Sequence, residues 1–211
     1  MYRVLVPATV AIALAGCSLG SANLSSGFAS NPSETGAVKS RSGDSKTRTA
    51  ALAPKPDDKI PKGTFEKAPS GALADRDYGS TALDADKARE AINAYRKENG
   101  LKPLRLNPAL TEAAKAHSRD LAKWDRISHY GSDGSNPWDR VKRTGYNAKL
   151  AAENVGTGQA SIDEVMKGWR ESPGHNKNLL LADADHMGIA LVQEPKSEFK
   201  TFWTLVIGSS L

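Results

Sequence analysis

The single cysteine of this chain, Cys17, excludes an intramolecular disulfide, so the folded part must be stabilised by a hydrophobic core. All four tryptophans lie in the second half: Trp124, Trp138, Trp169 and Trp203. From Ser18 to Ala82 the chain is rich in small and polar residues, and its few large apolar residues follow no helical or strand period. Such a segment buries too little apolar surface to offset the entropy lost on ordering. We therefore predict one domain over residues 84–211, preceded by a flexible linker over residues 17–83.

Residues 1–16 have the pattern of a secretory signal peptide. Arg3 precedes an apolar run, Val4 to Leu14, that is too short to span a membrane as a stable helix. Leu14-Ala15-Gly16-Cys17 resembles the lipobox of bacterial lipoproteins, which implies cleavage before Cys17, acylation of this residue and a membrane anchor. A plain signal peptide that contains a cysteine is the alternative. Ser18 resembles an outer-membrane sorting signal, so we expect a lipid-anchored envelope protein that faces the periplasm or the cell surface.

The charge pattern argues against a nucleic-acid partner. The formal net charge is +5 and the isoelectric point is about 9.3, but basic and acidic residues alternate along the chain. No basic run is interleaved with aromatic residues, as a groove for a single strand requires. We predict a solvated surface of mixed charge.

Apolar spacing and turn residues predict an α+β fold for the folded segment. Four helices are expected to begin near Asp84, Asn107-Pro108, Pro137 and Ser161. Three strands are expected within 146–155, 187–192 and 201–207. Helices followed by a meander suggest an α-β-α sandwich, with about four helices packed on a three-stranded antiparallel sheet.

Three residues beside glycine or proline form a candidate site on the predicted loops: His129, Glu153 and His175. A carboxylate between two imidazoles can orient them or share a divalent metal with them, and two histidines with one carboxylate are typical of catalytic zinc sites. Spacing alone does not show that the three converge. His117 lies on the apolar stripe of the second helix, where we expect a hydrogen-bonded core or cleft-wall histidine rather than a ligand.

A series of ordered motifs covers nearly the whole folded segment: Asn93 and Arg96, Gly100 to Leu104, Asn107 to Leu110, Ser128 to Gly134, Arg140, Gly145-Tyr146, Ala152 to Val155, Trp169, Ser172 to Leu180 and Gly188-Ile189. With these motifs the segment from about Ala91 to the C-terminus resembles the CAP superfamily (cysteine-rich secretory proteins, antigen 5, pathogenesis-related 1), specifically its bacterial branch, also called SCP or PR-1-like.

The resemblance implies an α-β-α sandwich with a central cleft that is lined by two histidines and two acidic residues. His129, Glu153 and His175 fall on three of these positions. The fourth, acidic in many relatives, falls on Ser172 or Glu171, and the alignment around the following proline favours Ser172. The resemblance also implies that His129 and His175 can bind zinc or another divalent metal; no other cofactor is expected.

Three functions follow as hypotheses, and the third is structural: the tether and the domain organise contacts in the envelope, and the cleft is vestigial. In the first, a tethered envelope domain binds a lipid, peptidoglycan or a protein partner through its His/Glu-lined cleft. In the second, His129 and His175 activate water with or without a metal, Glu153 orients them or acts as base, and the chain hydrolyses peptide or cell-wall bonds. The first is preferred because the fourth acidic residue is missing, and the sequence leaves open whether the chain is an enzyme.

Overall fold

The computed structural model describes residues 25–30, 67–68 and 70–211. The predicted signal peptide, Cys17 and most of the predicted linker lie outside these residues. Within them, every helix is too short or too polar to span a bilayer.

Five helices form in the described part of the chain: α1 (Ala85–Glu98), α2 (Pro108–Trp124), α3 (Pro137–Arg143), α4 (Ile162–Glu171) and α5 (Pro173–Leu179). The first four match the predicted helices. Each is preceded by an Asp, Asn or Ser whose side chain accepts a hydrogen bond from a backbone N–H of the first turn. The fifth helix was expected to be a loop. Pro173 ends α4 but also occupies the first position of α5, where proline is tolerated.

The described strands form one sheet: β1 (Ser25–Ser30), β2 (Arg105–Leu106), β3 (Ala148–Thr157), β4 (His186–Glu194) and β5 (Lys200–Ser210). Their order is β1-β3-β5-β4-β2, and β3, β5 and β4 are the antiparallel meander that the sequence predicts. The prediction of three strands was too low. β1 pairs antiparallel with β3, and β2 pairs parallel with β4. β2 has only two residues, which is too few to show an alternating pattern in the sequence. β1 joins the sheet through backbone pairing, which requires no apolar pattern.

Helices cover both faces of the sheet, which confirms the predicted α-β-α sandwich. One core contains residues of α1, α4 and α5, together with Trp203, Leu205 and Ile207 of β5. The other face of β5 contributes Phe202 and Val206 to the two cores under α2 and α3. Alternate side chains of one strand therefore reach opposite helical layers.

Part of the predicted linker belongs to the domain, so the boundary at residue 84 was placed too late. Tyr78 donates its hydroxyl hydrogen to the carbonyl of Gly158 at 2.9 Å, and Gln193 donates to the carbonyl of Thr81 at 2.7 Å. Leu83 packs against the core of α1 and α4. These bonds to residues far along the chain stabilise a segment that has no periodic pattern of its own. Ser25–Ser30 of the predicted linker also lies in the sheet, as β1.

Candidate functional site

Glu153 was expected on a loop, but it lies in the middle of β3, where it pairs with Val206 of β5, and its side chain is fully buried. Oε1 accepts a hydrogen bond from His129 Nδ1 at 2.8 Å, and Oε2 accepts one from Arg140 Nη2 at 2.7 Å. Burial alone would raise the pKa of Glu153, but the Arg140 guanidinium and the hydrogen bond from His129 hold it well below its usual range. Glu153 is therefore an ionised carboxylate with both oxygens engaged.

His129 lies on the loop between α2 and α3, and its side chain is 12% exposed. An ionised carboxylate only accepts hydrogen bonds, so the proton of the His129–Glu153 bond is on Nδ1. In the neutral tautomer with the proton on Nδ1, the lone pair lies on Nε2. Arg140 also holds the loop, because Nη2 donates to the carbonyl of His129 and Nη1 donates to the carbonyl of Ser135, each at 2.9 Å. Tautomer and loop position are thus fixed together.

His117 of α2 is fully buried behind this pair. Its Nε2 donates to the carbonyl of Ser128 at 2.8 Å and lies 3.5 Å from Glu153 Oε1. Burial lowers the pKa of His117 to about 4, so the ring is neutral at pH 7. The expectation of a hydrogen-bonded core or cleft-wall histidine is confirmed. The structure adds that this histidine supports the residue that precedes His129.

His175 is buried on α5, where two asparagines attach the helix to β3. Asn154 donates to the carbonyl of His175 at 3.1 Å. Asn178 donates to the carbonyl of Glu153 at 3.1 Å and to Asn154 Oδ1 at 2.9 Å. Burial, and then the repulsion that protonated His129 would exert, lower the pKa of His175 to about 3. His175 is therefore a neutral imidazole at pH 7, on a helix that is bonded to the strand of Glu153.

The fourth predicted position offers no acidic group to this cluster. Ser172 joins α4 to α5, and its side chain makes no capping bond to α5. Glu171 is exposed and lies 4.0 Å from Lys167 on the outer face of α4. A role for Ser172 in the cleft stays a prediction.

Arg140 is the main site residue to which sequence reasoning gave no role. It appeared there only as one of the matching family residues. No pattern near it in the sequence points to a carboxylate 13 positions away. The one signal that could have identified Arg140 is the need for a cation to neutralise a carboxylate that is buried in a strand.

The donor set does not fit a three-ligand zinc site. Both oxygens of Glu153 are bonded to other side chains, and His129 Nδ1 is bonded to Glu153. In the part of the chain that the structure describes, no three His, Cys, Asp or Glu side chains are grouped so that they could hold a metal ion. Binding of a metal by the imidazoles of His129 and His175 stays a prediction.

Comparison with known proteins gives a consistent family. The family described as "CAP: Cysteine-rich secretory protein family" matches residues 89–207. The uncharacterized protein YkwD of Bacillus subtilis is 34% identical over 156 residues, which cover 70% of this chain and 60% of that protein. The uncharacterized membrane protein YlbC of the same organism is 28% identical over 121 residues, which cover 57% of this chain and 35% of that protein. The chain thus matches less than two thirds of either relative.

Solved structures show the same fold. An outer surface protein of Borrelia burgdorferi superposes with a TM-score of 0.55 at 21% identity, and the match covers 61% of this chain and 97% of that chain. An extracellular protein of Bacillus anthracis that contains an SCP domain superposes with a TM-score of 0.53 at 22% identity, covering 62% of this chain and 45% of that chain.

Proposed function

Because the chain belongs to the cysteine-rich secretory protein (CAP) family, we propose that it is a cell-envelope protein whose His/Glu-lined cleft binds a component of the envelope. Lipid, peptidoglycan and protein are the candidate partners. We propose further that lipid on Cys17 anchors the chain at the outer membrane, facing the periplasm or the cell surface. The lipobox-like sequence before Cys17 supports this anchor, and a relative in fold is an outer surface protein of Borrelia burgdorferi.

The buried Glu153–His129 pair carries the proposal of a binding cleft. Glu153 is ionised, bonded at both oxygens and fully buried, so it is poorly suited to accept a proton from a substrate. Its effect is to fix the His129 ring with the lone pair on Nε2. A ring that is held in one orientation loses little entropy when it contacts a polar group of a partner.

The same pair favours hydrolysis as the second candidate. A histidine that is held in one tautomer by a buried carboxylate is the arrangement of a general base. In this version His129 Nε2 takes a proton from water as the water attacks a peptide or cell-wall bond. The imidazolium then gives this proton to the leaving amine or alcohol as that bond breaks. Glu153 holds the imidazolium that forms, and no step passes through a metal.

Binding by the full chain to defined envelope materials tests the proposal. Purified peptidoglycan sacculi and phospholipid vesicles are sedimented with the chain, and the bound fraction is measured. His129→Ala is expected to weaken binding to one of them by about tenfold or more. A lost hydrogen bond between neutral groups costs about 1 kcal/mol, and loss of the contact with the imidazole ring adds to this cost. His186→Ala is the control, because His186 lies at the start of β4 and bonds to Tyr146, outside the cluster.

The same assay separates the two candidates. Soluble fragments released from sacculi by the unsubstituted chain, and not by His129→Ala, would establish the hydrolase. Equal binding and equal release by both chains would refute a function for this cleft.

Zinc or another divalent metal on His129 and His175 is a separate proposal. Equilibrium dialysis of the full chain against zinc, followed by metal analysis, is expected to show one ion per chain. The His129→Ala/His175→Ala variant is expected to retain none. Equal retention by the two chains would contradict it.

A further inference from the structure

The outer edge of β3 is a place where the sheet can accept another strand. Without β1, β3 would be the last strand on this side of the order β1-β3-β5-β4-β2. The backbone N–H and C=O groups along such an edge form a template for an added strand. In the structure this template is occupied by Ser25–Ser30, which pairs antiparallel with residues 151–156, from Ser25 opposite Gly156 to Ser30 opposite Ala151.

The occupied edge lies next to the candidate site. Glu153 is in the middle of the paired stretch, opposite Phe28. β1 also contacts α5, the helix that carries His175. We name this place the edge slot: the outer edge of β3 over residues 151–156, together with α5 beside it.

The segment in the edge slot is distant in sequence from the rest of the fold. Residues 31–66 separate it from the next described residue, Lys67. Its sequence, Ser-Ser-Gly-Phe-Ala-Ser, has no alternation of apolar and polar residues and no charge. In the structure this segment pairs with β3 through its main chain, and any extended peptide can form such pairs. A linked segment has an effective concentration in the millimolar range, so even a weak strand occupies its site when it is tethered.

We propose that the edge slot binds an extended peptide segment of a partner protein as an added strand on β3, and that Ser25–Ser30 is a built-in competitor for it. This rests on the proposed function and names its partner class as polypeptide. The partner segment pairs antiparallel with residues 151–156. Its central residue lies opposite Glu153, next to the cluster of His129 and His175.

Proline substitutions in β1 of the full chain test the slot. Successive residues of a strand point their N–H groups to opposite sides, and proline has none, so Phe28→Pro/Ala29→Pro removes one donor of the β1–β3 ladder whichever residue supplies it. The probe is a fluorescein-labelled peptide with the sequence of residues 24–31. Fluorescence anisotropy is expected to show it binding to the variant about tenfold or more tightly than to the unsubstituted chain.

Two controls define the result. Gly36→Pro/Ala37→Pro adds the same residues outside β1 and is expected to bind the probe as weakly as the unsubstituted chain. A probe with proline at the positions of Phe28 and Ala29 is expected not to bind. Hydrogen exchange should show that the probe protects backbone amides of residues 151–156 in the Phe28→Pro/Ala29→Pro variant.

A chain lacking residues 25–30 is the second variant, because the deletion adds no proline and leaves the rest of the chain unchanged. Probe binding by neither variant would overturn the proposal, as would equal binding by the Gly36→Pro/Ala37→Pro control. Sacculus and vesicle binding measured on the same chains separates the two proposals. Dependence of that binding on His129 without any probe binding refutes the edge slot alone, whereas probe binding without such dependence refutes the cleft function alone.

Discussion

At the scale of single residues, Arg140 allows a carboxylate to stay ionised inside the sheet. Its two terminal nitrogens reach Glu153, the carbonyl of His129 and the carbonyl of Ser135. A buried charge without such a partner is strongly destabilising. The cation that neutralises Glu153 therefore also positions the loop of His129, so charge balance and site geometry depend on the same side chain.

The buried neutral histidines predict a loss of stability in acid. The pKa of His117 falls from 6.5 to about 4 on burial, so the unfolded chain binds more protons than the folded chain between these values. The free energy of unfolding is thus expected to be level above pH 6.5 and to decrease below it, by about 3 kcal/mol for His117 when the pH reaches 4. His175 adds to the same decrease, since its pKa is also lowered. Urea unfolding at a series of pH values measures it.

Substitution of His117 separates its share of this decrease. His117→Gln keeps an N–H donor for the carbonyl of Ser128 but cannot titrate, so the decrease below pH 6.5 is expected to be smaller. Ser118→Ala is the control, because it removes a buried bond to Thr204 without removing a titrating group. It should lower stability by a similar amount at every pH. An unchanged slope in His117→Gln would contradict the assignment.

At the scale of elements, a glycine sets the distance between α2 and the sheet. A Cβ on Gly188 of β4 would overlap the backbone N of Thr111 and the backbone C of Leu110, and would lie 2.6 Å from the carbonyl oxygen of Leu110. These are backbone atoms of α2, which cannot turn aside as a side chain can. The close approach of β4 to α2 therefore requires glycine. α2 also carries His117, so the distance between α2 and β4 affects the position of this residue behind the His129–Glu153 pair.

We expect Gly188→Ala to destabilise the fold by about 3 kcal/mol or more, because α2 must move away from β4 to relieve the overlap. Gly79→Ala is the matched control. A Cβ there lies 3.1 Å from Asp77 Oδ1, a side-chain atom in an exposed turn that can move. Thermal and urea unfolding compare the two. Equal midpoints would show that α2 does not lie this close to β4.

At the scale of the whole molecule, the segment before α1 is part of the domain. Arg76 bonds to both carboxylate oxygens of Glu164 at 2.7 Å, and Gly71 N–H donates to Glu198 at 2.8 Å. With the bonds of Tyr78 and Thr81, the segment contacts α4, the end of β3 and the β4–β5 hairpin. It therefore joins elements from both ends of the domain.

A chain that begins at residue 84 is expected to be less stable than one that begins at residue 67, by about 2 to 4 kcal/mol. The shorter chain loses two buried or half-buried hydrogen bonds, each worth about 1 kcal/mol, and the packing of Leu83. Urea unfolding measures the difference, with the full chain as reference. The same stability for both shortened chains would restore the boundary at residue 84.

The sequence by itself determined the parts of this protein that depend on local patterns. Helix caps at Asp84, Asn107 and Ser161 mark where helices begin, and runs of β-forming residues locate β4 and β5. A third strand is expected within 146–155, which β3 overlaps. The fold class and the family follow from these patterns and from ordered motifs. The burial of His117 also follows, because a residue on an apolar helical stripe faces the core.

Only the tertiary structure decided which distant groups meet. The pairing of Arg140 with Glu153, the side of the sheet that accepts β1, and the bonds between residues 70–83 and the domain join segments with no shared pattern. The helical form of Pro173–Leu179 belongs here too, since asparagines on β3 and α5 hold it against the sheet. Each of these features depends on partners that only folding brings together, through neutralisation of a buried charge, backbone pairing or hydrogen bonds between distant segments.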